Sequence, residues 1–131
     1  MLNGRCHCGE VGWALDAFPA SITACNCSVC RRYGALWAYG TVGVDVQTSG
    51  ETGVYRRSDG GDLDFHFCSK CGCMMYWAAV APDGDGRMRI AVNVRMSDLS
   101  PIRRIPIRHF EGHESYSELP RDGRTVADMW F

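Results

Sequence analysis

The chain has 131 residues, of which 46% are hydrophobic and 22% charged, ordinary values for one globular domain large enough to bury a core of its own. A formal net charge of −1 leaves no electrostatic footprint for nucleic acid or an anionic membrane. The longest apolar run, Met74 to Ala81, falls far short of the roughly twenty residues that span a bilayer, so a single domain over residues 1–131 handling small ligands is expected.

Taken in order, the chain enters Cys6-x-Cys8 at once, with no apolar stretch of signal-peptide length ahead of it; a cytoplasmic protein with reduced thiols is expected. Its eight cysteines fall into three tight clusters. Cysteines one or two residues apart do not readily bridge each other, but they can turn their sulfurs onto one tetrahedral ion at about 2.3 Å per bond. In a reducing compartment such clusters read as metal ligands rather than as a disulfide framework. Zinc is the expected ion, two per chain. Val11, Trp13 and Leu15 follow, alternating with smaller or polar residues at the period of a half-buried strand.

The second cluster, Cys25-Asn26-Cys27-Ser28-Val29-Cys30, offers three thiolates and no adjacent fourth ligand, the arrangement of a site that keeps one position for water or a substrate atom. Three thiolates donate much charge to zinc, so its bound water is a poor acid and the metal suits activating a thiolate better than hydrolysing an amide. The other reading is a second closed site completed by a histidine or by Cys73. Arg31 and Arg32 come next. They either compensate the negative charge of a zinc–thiolate cluster, the preferred reading, or fork onto a substrate carboxylate as a cofactor-binding pair. A short helix is expected just after Cys30. Core packing accounts for Trp13, Trp37, Tyr39, Tyr76 and Trp77, with the partial exception that Trp37 and Tyr39 follow the cluster closely enough for one of them to wall its pocket.

Further along, Leu63, Phe65 and Phe67 alternate with Asp64 and His66, and Met88 to Val94 repeats the pattern. The glycine- and aspartate-rich stretches Ser58 to Asp62 and Pro82 to Gly86 read as hairpin connections. Cys68-x-x-Cys71-Gly72 matches Cys6-x-Cys8-Gly9 as a partner pair: four thiolates close one site with no open position, a clamp whose binding energy is folding energy. Tight turns at Gly9 and Gly72 would aim backbone N–H groups at the sulfurs, with Arg5 and Lys70 compensating charge. Cys73 reads first as a small buried hydrophobe, next as a fourth thiolate for the second ion or a reactive thiol. A turn capped by Ser97 is expected around Met96 to Leu99. A strand from Ile105 to Phe110 follows, which Pro106 would confine to a sheet edge, and then a polar tail. None of the four histidines is taken as a ligand; His109 and His113 could line a pocket.

Gly4-x-Cys6-x-Cys8-Gly9-x-Val11, Cys25-x-Cys27-Ser28-x-Cys30-Arg31-Arg32-x-Gly34-Ala35 and Phe67-Cys68-x-x-Cys71-Gly72 together resemble the glutathione-dependent formaldehyde-activating enzyme family, which includes centromere protein V. The resemblance runs from Gly4 to about Trp77. It implies a mainly β fold, the β-tent, with several curved antiparallel sheets, few short helices and zinc staples. It implies a structural zinc on Cys6, Cys8, Cys68 and Cys71, and an active-site zinc on Cys25, Cys27 and Cys30. The chemistry it implies is that of a carbon–sulfur lyase, with glutathione or a related thiol adding to formaldehyde or another small aldehyde to give S-hydroxymethylglutathione, or the reverse cleavage. Cys73 departs from the small polar residue usual in the family. The basic extension of the centromeric relative is lacking, so nucleic acid is not an expected partner. A non-catalytic zinc-binding module, with two structural sites and a protein-interaction surface, is the alternative; it predicts two zincs indifferent to small thiols.

Overall fold

The alternation of apolar side chains is realised as eleven strands in a computed structural model that describes all 131 residues. β1 (Leu2–Arg5), β2 (Gly12–Leu15) and β5 (Val46–Ser49) form an antiparallel sheet in the order β1-β2-β5. The other eight are β3 (Ile22–Cys25), β4 (Leu36–Thr41), β6 (Thr52–Arg56), β7 (Leu63–Cys68), β8 (Met74–Ala79), β9 (Arg89–Asn93), β10 (Ile107–Glu111) and β11 (Ser117–Glu118). They form a second sheet in the order β11-β10-β3-β4-β9-β8-β7-β6, in which β10 on β3 is the single parallel pair. The one α-helix, α1 (Cys30–Tyr33), ends where Gly34 takes the left-handed conformation at φ 63°. The expected mainly β class with few short helices is what the chain forms, and the two glycine- and aspartate-rich stretches are the β6–β7 and β8–β9 hairpin connections. No helix is long and apolar enough to cross a membrane.

Register decides which side chains share a face, since paired residues point the same way and residues two apart along a strand do too. Trp37 pairs with Asn93, Tyr39 with Ala91, Ala91 with Trp77, and Trp77 with Phe65. Trp37, Ala91, Trp77 and Phe65 therefore project on one face of the large sheet, where they join a buried cluster with Cys30 and Ala35. Leu36, Ala38, Ile90, Val92 and Tyr76 project on the other and enter a larger core that also takes Leu2, Trp13, Leu15 and Val46 from the small sheet. The small sheet covers one face, and the other is left for the candidate site. β9, covered on both sides, is buried from Ile90 to Asn93.

Two expectations for the second half need correction. Ser97 does not open a turn: buried Asn93 caps the 3-10 turn Val94–Met96, accepting from the Arg95 N–H at 3.2 Å, while the Ser97 hydroxyl closes that turn by donating to the Val94 carbonyl at 2.7 Å. Nor is the strand after Pro106 an edge. β10 lies between β3 and β11, because Pro106 stands one residue ahead of the ladder, where its missing N–H costs nothing and its carbonyl accepts from the Ile22 N–H at 3.0 Å. The polar tail is ordered: Val126 is fully buried, its N–H bonded to the Ile105 carbonyl at 2.9 Å.

Candidate metal centre and its cavity

The turn after β1 and the turn between β7 and β8 bring Cys6, Cys8, Cys68 and Cys71 together, with all four sulfurs within 4.8 Å of one another. Gly9 at φ 85° and Gly72 at φ 79° reverse the chain just beyond each pair. The neighbouring N–H groups turn inward, as with Val11, which donates to the Cys6 sulfur at 3.2 Å. N–H groups of Cys73 and Cys8 pull the Cys71 thiol down to about 5. The Glu10 N–H favours the Cys8 thiolate as well, but burial and the other three sulfurs outweigh it and push Cys8 up to about 12. Four thiolates this close repel one another unless a cation sits among them, so the donor set suits a closed metal site. Arg5 donates to the Gly9 carbonyl at 3.1 Å, and Lys70 lies 3.5 Å from the Glu10 carboxylate beside it. Cys73 sits here too, half-buried against the larger core with its carbonyl accepting from the Cys68 N–H, and it does not reach the second cluster.

Cys25 ends β3, Cys27 lies in the following turn and Cys30 opens α1; their sulfurs also fall within 4.8 Å, and no fourth cysteine, histidine or carboxylate joins them. The Cys27 N–H points at the Cys25 sulfur (3.5 Å), the Cys30 N–H at the Cys27 sulfur (3.3 Å), and the Trp37 indole N–H at the Cys30 sulfur (3.3 Å). The sulfurs of Cys25 and Cys30, aided by backbone N–H groups, draw the Cys27 thiol down to about 2, and the same crowding pushes Cys25 and Cys30 up. One negative charge is accommodated here and three are not, so the donor set suits a cation held among the sulfurs. The chain also closes over the cluster from far away in sequence: Asn26 accepts the Gly112 N–H at 2.8 Å, and a Cβ on Gly112 would stand 2.9 Å from the Cys25 sulfur.

The three cysteines open into a cavity of about 510 Å³. Trp37, Phe65, Trp77 and Phe110 supply its apolar wall and Tyr39 joins them, so that both Trp37 and Tyr39 take part where one was expected, and Trp77, expected in the core, does too. Partial burial raises the Tyr39 pKa against the pull of the nearby Thr23 hydroxyl and the Arg108 charge, so the phenol stays neutral. Arg57 and Tyr116 also line it; Arg57 is forked onto Asp59, Nε to Oδ1 at 3.0 Å and Nη2 to Oδ2 at 2.7 Å. Arg31 and Arg32 are exposed on α1 and line no part of this cavity; Arg32 donates to the Ser28 carbonyl at 2.7 Å. His109 and His113 do not line it either; His109 pairs with Asp122 at 3.2 Å. Sequence reading missed Arg57, Phe110, Gly112 and Tyr116. Three of these belong to the segment after Pro101, and no local motif announces a residue whose role is set by a contact some 80 positions away, |i−j| being 86 for Asn26 and Gly112.

A family model described as glutathione-dependent formaldehyde-activating enzyme matches residues 1–105. A Halomonas elongata protein, named as a candidate glutathione-dependent formaldehyde-activating enzyme, is 28% identical over 86 residues, covering 58% of this chain and 55% of that protein. The chain thus aligns with little more than half of that relative's length. Among solved structures, a Rhodobacter sphaeroides protein determined by structural genomics superposes with a TM-score of 0.58 at 26% identity, covering 72% of this chain and 86% of the other.

Proposed function

The chain belongs to the glutathione-dependent formaldehyde-activating enzyme family, and on that premise we propose that it is a cytoplasmic, single-domain, zinc-dependent enzyme of the carbon–sulfur lyase type, acting on glutathione or a related thiol and a small aldehyde. In the forward direction the thiol sulfur bonds to the formaldehyde carbon, the carbonyl π pair moves to oxygen, and the thiol proton ends on that oxygen; the product is S-hydroxymethylglutathione and nothing is oxidised or reduced. Cys6, Cys8, Cys68 and Cys71 would hold a structural zinc. Cys25, Cys27 and Cys30 would hold the second, whose charge, when bound, raises the thiolate fraction of a thiol beside it.

The observation that carries this reading is the three-cysteine cluster, without a fourth protein ligand, opening into a cavity of about 510 Å³. A non-catalytic staple needs no such opening. The chain's own contributions are those of a preformed, mostly apolar pocket. Trp37, Phe65, Trp77 and Phe110 exclude water around the thiol, and neutral Tyr39 offers a hydrogen-bond partner inside. The backbone and indole N–H groups fix the three sulfurs. Arg31 and Arg32, exposed on α1, offset the charge of the thiolate cluster.

Native mass spectrometry of protein purified without chelator tests this. Two zincs per chain, with glutathione retained or the second zinc displaced when it is added, support the enzyme. Two zincs unchanged by glutathione point to the structural module.

A further inference from the structure

The apolar cavity continues past Tyr39 and Trp77. A second cleft of about 410 Å³ shares Tyr39, Leu63, Trp77 and Phe110 with the first and adds Arg89 and Arg108. The strand register accounts for the continuity. Phe110 pairs with Cys25, and Arg108, two residues earlier on the same face, with Thr23; Thr23 pairs with Trp37, and Arg89 pairs with Thr41, two residues beyond Tyr39. Cysteine, aromatic side chains and both arginines therefore project from one face of the large sheet, Arg108 at the level of Trp37 and Arg89 beyond Tyr39 and Trp77.

Both guanidinium groups lie over aromatic rings of the cleft. Arg89 lies over the Trp77 ring at 5.7 Å from its centroid and Arg108 over the Tyr39 ring at 5.9 Å, while the two rings pack at 5.9 Å. Arg89 makes no salt bridge. Arg108 Nε is 3.2 Å from a Glu118 carboxylate oxygen but misaligned with it, and it is a buried donor with no hydrogen-bond partner. Two like charges border one cleft, Arg89 exposed and without a protein counter-charge and Arg108 with a buried Nε donor left unpaired beside Glu118, so an anionic group in the cleft would gain charge-assisted hydrogen bonds. The wall between them and the cysteines is apolar, so the anion and the thiol belong to one ligand with a short uncharged body. Trp77 stands four residues' rise from the level of Cys25, about 13 Å along the strands.

We propose that this cleft is the carboxylate subsite of the enzyme: Arg89 and Arg108 bind a carboxylate of the thiol substrate whose sulfur lies at Cys25, Cys27 and Cys30. The inference rests on the reading of that cluster as a thiol site and narrows it to anionic, peptide-like thiols, turning away neutral ones such as simple alkyl thiols. It also gives the carboxylate a place other than the exposed Arg31 and Arg32.

The test is calorimetric titration of the zinc-loaded protein with glutathione, its dimethyl ester and S-methylglutathione, repeated on the R89Q/R108Q double variant. The ester keeps the thiol and masks both carboxylates. Wild-type protein should bind it about 10- to 100-fold more weakly than glutathione, the range for charged hydrogen bonds. The double variant should bind glutathione that weakly and the ester no differently from wild type. An ester bound as tightly as glutathione, a double variant indifferent to the change, or no binding of glutathione at all overturns the proposal. Should the double variant fail to fold, acid against ester on the unaltered protein decides. S-methylglutathione separates the two claims: binding as tight as glutathione's, and still dependent on the arginines, leaves the carboxylate subsite standing and removes the thiol reading of the cysteine cluster.

Discussion

Gly112 shows how much of the second cluster depends on one missing side chain. Its N–H is held by Asn26, and the space a Cβ would need is occupied by the Cys25 sulfur at 2.9 Å and the Cys27 Cβ at 3.0 Å. Neither can yield without moving a ligand, whereas a flexible side chain would simply turn aside. Gly112→Ala should therefore weaken metal at Cys25, Cys27 and Cys30 about tenfold or more, in the range seen when groups supporting metal ligands are altered. Competition with a chromophoric chelator would read this as one tight metal per chain in place of two, with the far-ultraviolet circular dichroism unchanged. Two tight metals in the variant would show that the C-terminal segment does not constrain the cluster.

At the scale of elements, the turn between β10 and β11 is built on Glu111. Its carboxylate accepts the N–H groups of Ser115 (2.6 Å), Glu114 (2.9 Å) and His113 (2.9 Å) together with the Ser115 hydroxyl (2.9 Å). These donors, the Ser115 N–H foremost, hold the carboxyl down to about 2, from an ordinary 4.5. The turn delivers Tyr116 to the cavity with φ at 50°, a conformation that a bulky residue adopts only when its surroundings impose it. Because the folded pKa lies below the unfolded one, the stabilisation is fully present above about pH 4.5 and is lost as the pH falls toward 2. Amide hydrogen exchange at His113 to Ser115 should accelerate across that window beyond its intrinsic pH dependence. Glu111→Gln should exchange fast at neutral pH and lose the extra acid response; slow exchange in that variant would mean that other contacts hold the turn.

For the whole molecule, the two cysteine clusters differ in what they connect. Cys6 and Cys8 follow β1 of the small sheet, and Cys68 and Cys71 lie at the end of β7 in the large one and just beyond it, so an ion there would join the two sheets across the larger core. Cys25, Cys27 and Cys30 all belong to β3, α1 and the turn between them. Cys68→Ser should lower the melting temperature by about 10 °C or more, since metal binding at such a staple is folding free energy, and Cys25→Ser should lower it by much less. Scanning calorimetry of the two variants side by side checks this; equal losses would deny the first cluster its special place between sheets. The sequence by itself determined the cysteine clusters, the strands with period two, the hairpin turns and the family, because each is written in neighbouring residues or in spacings that local geometry fixes. Only the tertiary structure decided that the strand after Pro106 is interior, that Cys73 stays beside the first cluster, that Arg57, Phe110 and Tyr116 border the cavity, and that Arg89 and Arg108 border the cleft beside it. Those facts follow from strand order and register, which bring residues far apart in the chain onto one face of one sheet, and pairing across a sheet leaves no local mark in the residues that it brings together.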